Sequence, residues 1–155
     1  MLVSWNVRGL NKMVKTKEVS SRLRSLNPMI CILLETRVKH DKADKIRCKL
    51  KLKGRFLDNY TEHENGRIWI WWNNAKIKIR KVTSSGQLIH YGVYDMNEVF
   101  QFWLTAVYGA DKLDQRKRLW SDIKHIHQNQ QGMWFLIGDF NNVVQTIDRR
   151  GGSMV

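Results

Sequence analysis

This 155-residue chain has one proline, two cysteines and no long apolar run. Two cysteines build no disulfide framework. Cys31 sits in an apolar stretch and Cys48 in a lysine-rich one, and neither has a partner at metal-ligand spacing. Both are expected as reduced thiols, with no disulfide-linked partner. Without an apolar run of about 20 residues there is no membrane-spanning helix to read. "MLVSWNVRGL" also lacks the basic start and apolar stretch of a signal peptide, so the expectation is a soluble, intracellular protein with no membrane partner. No Gly/Ser linker, internal repeat or low-complexity segment divides the chain, and residues 1–155 read as a single domain with a real core. Acidic residues are scarce, 14 against 27 lysines and arginines, a net charge of +13. That balance favours a polyanion, above all nucleic acid, over the bland reading of a solvated basic surface. A hydrophobic content of 43% argues against disorder.

Hydrophobic periodicity divides the chain into alternating elements. "MLVSWNV" reads as a strand. "KTKEVSSRLRSLN" places Val19, Leu23 and Leu26 at helical spacing, with Pro28 marking the end. "MICILLETR" reads as a strand buried on both faces. "DKADKIRCKLKLKG" gives a second helix, with Ala43, Ile46 and Leu50 on one side and Gly54 as its stop. "RFLDNYTEHENGRIWIWWN" reads as a hairpin turning at Asn65-Gly66. "AKIKIRKVT" alternates, with Ile77, Ile79 and Val82 inward. "QLIHYGVYDMNEVFQFWLTAVYG" gives two strands joined near Asp95–Asn97. "LDQRKRLWSDIKHIHQ" gives a helix with Leu119, Ile123 and Ile126 on one face, and "GMWFLIGDF" a last strand. The order predicts an α/β protein with two mixed sheets packed together and helices outside.

Three of the apolar strands end alike: in Asn6, in Glu35, and in Asp139 followed by Asn141. Residues two apart on a strand share a face, so Asp139 and Asn141 are expected to point together from the carboxyl end of the sheet. A single polar strand terminus is usually a turn or cap residue. Three oxygen-bearing termini form a more specific set. A hard cation such as Mg²⁺ takes one or two carboxylates, waters and substrate phosphate. Glu35 is the natural ligand, with Asn6 beside it. Asp139 is placed to orient or deprotonate a water, and Asn141 to hydrogen-bond phosphoryl oxygens.

"SWNVRGLN", "LLETR", "VYG" and "GDFNNV", in this order, resemble the endonuclease/exonuclease/phosphatase superfamily. "WNVRGL", "LLETRV", "GRIWIWWN" and "LIGDFNNV" resemble most the endonuclease domain of plant non-LTR (LINE-type) retrotransposons. The resemblance spans almost the whole chain. It implies a four-layer, deoxyribonuclease-like sandwich and Mg²⁺- or Mn²⁺-dependent hydrolysis of phosphodiester bonds in DNA, with the nucleus as the expected location. It also implies metal positions at Asn6 and Glu35 and a phosphate contact at Tyr108. Asp139 matches the catalytic aspartate, and Asn141 the asparagine supporting it. Arg37 matches a basic residue near the site, and Arg8, Asn11 and Asn142, beside these motifs, are expected to bind substrate. The sequence carries no signal of oligomeric state.

The chain also departs from that pattern. The family continues into strands carrying a serine-aspartate-histidine motif, whereas here "DRRGGS" opens the next loop and the sequence ends at Val155. The last histidine, His127, precedes Asp139. The expectation is a C-terminally truncated domain with weak or no nuclease activity, an open sheet edge and a tendency to aggregate. The alternative is a catalytically dead remnant that binds nucleic acid by charge. A phosphatase acting on a small phosphorylated molecule stands third, with the charge and the retrotransposon-like motifs against it.

Other features read as structural. Trp69 and Trp71 fall on one face of their strand and Ile68, Ile70 and Trp72 on the other, as core residues do. His125 and His127 do not share a helix face, so they make no metal pair. Gly9 and Gly54 form no phosphate loop. Arg67 at the hairpin turn could touch a phosphate, but an exposed turn arginine is the commoner case. "KADKIRCKLKLKGR" reads equally as a DNA-backbone contact and as a solvated helix face.

Overall fold

Residues 1–142 are described by a computed structural model. Strand β1 (Leu2–Asn6) leads to helix α1 (Met13–Leu26), β2 (Ile30–Leu34) and α2 (His40–Leu50). β3 (Arg55–Asp58), β4 (Ile68–Trp72), β5 (Lys78–Ser84), β6 (Leu88–Tyr94) and β7 (Phe100–Tyr108) follow, then α3 (Leu113–Asn129) and β8 (Trp134–Asp139). The strands form two four-stranded sheets, ordered β1-β2-β4-β3 and β5-β6-β7-β8. β1 and β2 run parallel, as do β7 and β8, because helices α1 and α3 carry the chain back between them. The other pairings are antiparallel. The expected α/β sandwich of mixed sheets flanked by helices is the fold observed.

Strand alternation builds the layers. Ile30, Ile32, Leu34, Ile68, Ile70 and Trp72 face Ile89, Tyr91, Val93, Leu104 and Ala106 across the sandwich. The opposite faces of β2 and β4 carry Cys31, Leu33, Trp69 and Trp71, which pack with Val19 and Leu23 of α1 and Ala43, Ile46 and Leu50 of α2. On the outside of the second sheet Leu88 and Val107 meet Leu119 and Ile126 of α3. The tryptophans of β4 are core, as their alternation predicts. Cys31 is fully buried, and burial pushes its thiol pKa up to about 12, so it is an inert packing group. Both cysteines are free thiols. Among the described residues no helix is long and apolar enough to cross a membrane.

Four local expectations are corrected. Helix α2 stops at Leu50, with Lys51 in a left-handed conformation as its cap, and Gly54 plays another part. A Cβ on Gly54 would meet the Trp72 carbonyl oxygen and lie 2.6 Å from Trp71 Nε1, so glycine is needed where β3 closes on β4. Asn65-Gly66 is not a two-residue hairpin turn, because β3 and β4 are joined by a loop over 59–67. Buried Asn59 staples that loop: its Oδ1 accepts the Ile68 N–H, and its Nδ2 donates to the Ser85 and Gly86 carbonyls. Val82 is 58% exposed because the β5–β6 register shifts between Lys81 and Thr83. Asn141 lies beyond the end of β8, so it does not share a strand face with Asp139.

Among the described residues β1 and β8 are edge strands, and they lie against each other across the sandwich. Leu2, Phe102, Leu104, Phe135, Leu136 and Ile137 line an apolar opening of about 380 Å³ there. The expected "DRRGGS" loop and the chain end lie outside the described residues.

His90 is a buried titratable group of the second sheet. It is 2% exposed, and its Nδ1 lies 2.9 Å from Thr105 Oγ1, which also accepts the Trp134 indole N–H at 2.8 Å. Burial lowers its pKa from the ordinary 6.5. The unfolded chain therefore takes up a proton below pH 6.5 that the folded chain refuses, so stability falls as pH falls. Urea midpoints measured from pH 7.5 to 5 should decline for the wild type. The decline should be shallower for His90→Gln, by at most about 1.4 kcal/mol per pH unit.

Candidate active site

Asn6, Glu35, Tyr108 and Asp139 each end a strand or directly follow one, on β1, β2, β7 and β8. Because each pair runs parallel, all four reach one rim of the sandwich. In the registers Asn6 pairs with Leu34, just before Glu35, and Tyr108 pairs with Asp139. The two sheets are joined at this rim by a hydrogen bond from Asn6 Nδ2 to Asp139 Oδ2, 2.9 Å long between residues 133 apart. Asn6 Oδ1 accepts the Arg8 N–H at 3.1 Å, which orients the amide with its nitrogen toward Asp139. Asp139 Oδ1 accepts the N–H of Asn141 at 3.0 Å, and Asn141 Nδ2 donates to the Gly109 carbonyl at 2.6 Å. Asp139 and Asn141 thus work together through an Asx turn.

Backbone geometry fixes the rim. Among the described residues seven non-glycine residues have positive φ, and four of them, Arg8, Glu35, Arg37 and Asn141, are here. Such strain persists only where surrounding contacts over-determine it. Val7, Gly9 and Leu10 N–H groups bond the carbonyls of Leu34, Glu35 and Thr36, lacing the loop after β1 to the loop after β2. Fully buried Thr36 donates its hydroxyl to the Gly66 carbonyl at 2.7 Å, tying in the 59–67 loop.

The Glu35 carboxylate is largely buried and bonded by the Arg37 guanidinium. Tyr108 has its phenol pKa raised, by burial first and then by the negative Glu35, with Arg67 opposing. Glu35, Arg37, Asn65, Arg67, Tyr108 and Asp111 line a cleft of about 320 Å³. Asn11 is exposed, and its Nδ2 donates to the Arg37 carbonyl at 2.6 Å. Arg8 and Asn142 are exposed at the same rim.

Glu35, Asp139 and the Asn6 side-chain oxygen are all oxygen donors, the type a hard divalent cation takes together with waters and phosphate. Among the described residues no group of three or more His, Cys, Asp or Glu side chains is placed to hold a metal ion.

Arg67 also stands at this rim. Its guanidinium lies 5.5 Å from the centre of the Tyr108 ring. The signal was available in the topology: Ile68, the next residue, pairs with Leu34, so Arg67 must share the rim of Glu35. The same logic places the end of the basic run of α2. Arg55 pairs with Trp72, which pairs with Ile30 at the start of β2, so that run ends at the opposite rim. Within it, Arg47 is an internal strut, paired with Asp58 at 2.5 Å and stacked on Trp69 at 4.6 Å.

A model of the endonuclease/exonuclease/phosphatase family matches residues 3–154. Among solved structures, the chain is similar to the endonuclease domain of TRAS1, a telomere-specific non-LTR retrotransposon. Identity there is 13%, with 92% of this chain and 61% of that one covered, at a TM-score of 0.69. It is similar to D. rerio TDP2 complexed with a single-strand DNA product (16% identity, 91% and 60% covered, TM-score 0.68). It is similar too to a Bacteroides thetaiotaomicron mannosyl-6-phosphatase (12% identity, 90% and 64% covered, TM-score 0.64). At these identities the likeness is one of fold. The chain spans about six-tenths of the length of these proteins. No curated protein matches it in sequence.

Proposed function

Since the chain belongs to the endonuclease/exonuclease/phosphatase family, a family of phosphate-ester hydrolases, we propose that it cleaves phosphodiester bonds of DNA with a divalent cation, as a retrotransposon-type endonuclease acting in the nucleus. The observation that carries this reading is the Asn6–Asp139 hydrogen bond, which closes the two sheets around one oxygen-lined rim beside Glu35 and Tyr108. Glu35 and the free lone pair of Asn6 Oδ1 would hold Mg²⁺ or Mn²⁺. When bound, the cation neutralises phosphate charge and polarises the ester. Asp139 holds the attacking water by hydrogen bonding and takes its proton as the new P–O bond forms and one ester P–O bond breaks, the leaving oxygen taking a proton from solvent water. The second N–H of Asn141, the Tyr108 hydroxyl and Arg37 donate to phosphoryl oxygens as negative charge builds there. The +13 charge draws the polyanion to the protein.

Purified protein should convert supercoiled plasmid to nicked circles with Mg²⁺ or Mn²⁺, stop on chelation and leave inositol phosphates untouched. Salt-sensitive DNA binding without cleavage, indifferent to metal, is the outcome that charge-only binding predicts and would replace the enzymatic reading.

A further inference from the structure

Beside the catalytic cleft lies a larger groove of about 810 Å³, and Arg67 and Tyr108 line both. The 59–67 loop, the β5–β6 turn and the start of α3 form its walls. The turn is held to the rim by the Tyr108 N–H, which donates to the Gln87 carbonyl at 2.8 Å. Gln87 also accepts the Ala110 N–H at 2.7 Å and donates to the Gln115 carbonyl at 2.9 Å, locking the turn to α3. The groove is therefore braced by hydrogen bonds on both sides.

The charges in the groove are sorted. Among the described residues Arg67, Lys112 and Arg118 make no ion pair, whereas Asp114 is paired with Lys117 and Glu62 accepts the Ser84 hydroxyl. Asp111 is the remaining carboxylate, at the junction with the cleft. Arg67 is half-buried, and its planar cation over the Tyr108 ring leaves its edge N–H groups unspent. An arginine so placed suits a phosphate one nucleotide from the scissile one.

We propose that Arg67 heads a second phosphate subsite, taking the neighbouring phosphate of the same DNA strand, with Lys112 and Arg118 continuing the track. This subsite makes a polynucleotide, not a phosphomonoester, the fitting substrate. The inference rests on the nuclease reading but is tested by binding, separately from turnover.

The test measures affinity for a short DNA duplex by fluorescence anisotropy with a chelator present, across a salt series. Arg67→Ala should weaken binding about tenfold and reduce the salt slope by about 0.9. Arg67→Lys should keep the slope and lose part of the affinity. Arg80→Ala, which removes the same charge from a residue bound to Glu98 elsewhere, should leave affinity unchanged. A single uncharged methylphosphonate, walked along one strand, should cost the wild type about tenfold at one position and cost Arg67→Ala nothing further there. Equal losses for Arg67→Ala and Arg80→Ala, or a methylphosphonate penalty that persists in Arg67→Ala at every position, would overturn the subsite. Arg67-dependent binding with no cleavage under any metal would leave the subsite standing and remove the catalytic reading instead.

Discussion

Asp139→Asn is expected to lower metal-dependent DNA cleavage by about 10³-fold or more, with DNA affinity nearly unchanged. Two losses combine. The amide cannot take a proton from water, and a general base typically supplies about 10²–10⁴-fold. The second loss is geometric. Both carboxylate oxygens of Asp139 face donors, Asn6 Nδ2 on one side and the Asn141 N–H on the other. An asparagine has one acceptor oxygen, so either rotamer aims an NH₂ group at a donor and leaves a part-buried polar group unsatisfied, costing about 1–3 kcal/mol. Asp139→Asn should therefore melt a few degrees lower as well as turn over slowly. Glu35→Gln separates the roles: it should raise the metal concentration needed for half-maximal cleavage, which Asp139→Asn should change much less. A Mg²⁺ titration of nicking rate with both variants checks this, and equal activity of Asp139→Asn and wild type would remove Asp139 from the chemistry.

Much of this rim was legible in the sequence, because parallel strands carry their chemistry at their carboxyl ends and the apolar runs before Asn6, Glu35 and Asp139 are unmistakable. Strand alternation likewise placed every residue of β4 on its observed face. Three of the four corrected expectations share a cause; the fourth, Asn141, extended strand alternation past the end of β8. Gly54, Asn65-Gly66 and Val82 were read by local propensity, yet their roles are set by partners distant in sequence. Gly54 answers to the Trp71 and Trp72 that β3 lies against, and the 59–67 loop answers to Asn59 reaching the β5–β6 turn. Val82 answers to a register shift against β6. Arg67 belongs with them. Alone it is a turn arginine, and only the pairing of Ile68 with Leu34 puts it beside Glu35 and Tyr108.

Gly138→Ala is expected to be the most damaging single-methyl change in the described chain, and it explains why a glycine precedes Asp139. Gly138 pairs with Val107 in the parallel β7–β8 ladder at a φ of +154°, which L side chains rarely adopt. A Cβ there would overlap the Val107 carbonyl oxygen and stand 2.8 and 2.9 Å from the Val107 carbonyl carbon and nitrogen. These are backbone atoms of the neighbouring strand β7, so no rotamer change relieves the clash and the strands must part. Overpacking and backbone strain each cost about 1–3 kcal/mol. A loss of roughly 4 kcal/mol would lower the melting temperature by about 8–16 °C. Gly86→Ala is the matched control. Its Cβ would find ordinary contacts at 3.6 and 3.8 Å, so its melting temperature should hold or rise slightly. The catalytic consequence follows from the register. Parting β8 from β7 at Gly138 shifts Asp139, the next residue, away from both Asn6 and Tyr108, and a displacement near 1 Å costs about 10²-fold. Activity measured well below the lowered melting temperature should therefore remain depressed in Gly138→Ala. Full activity of a folded Gly138→Ala would show that the close approach of the two strands is not what aims the aspartate.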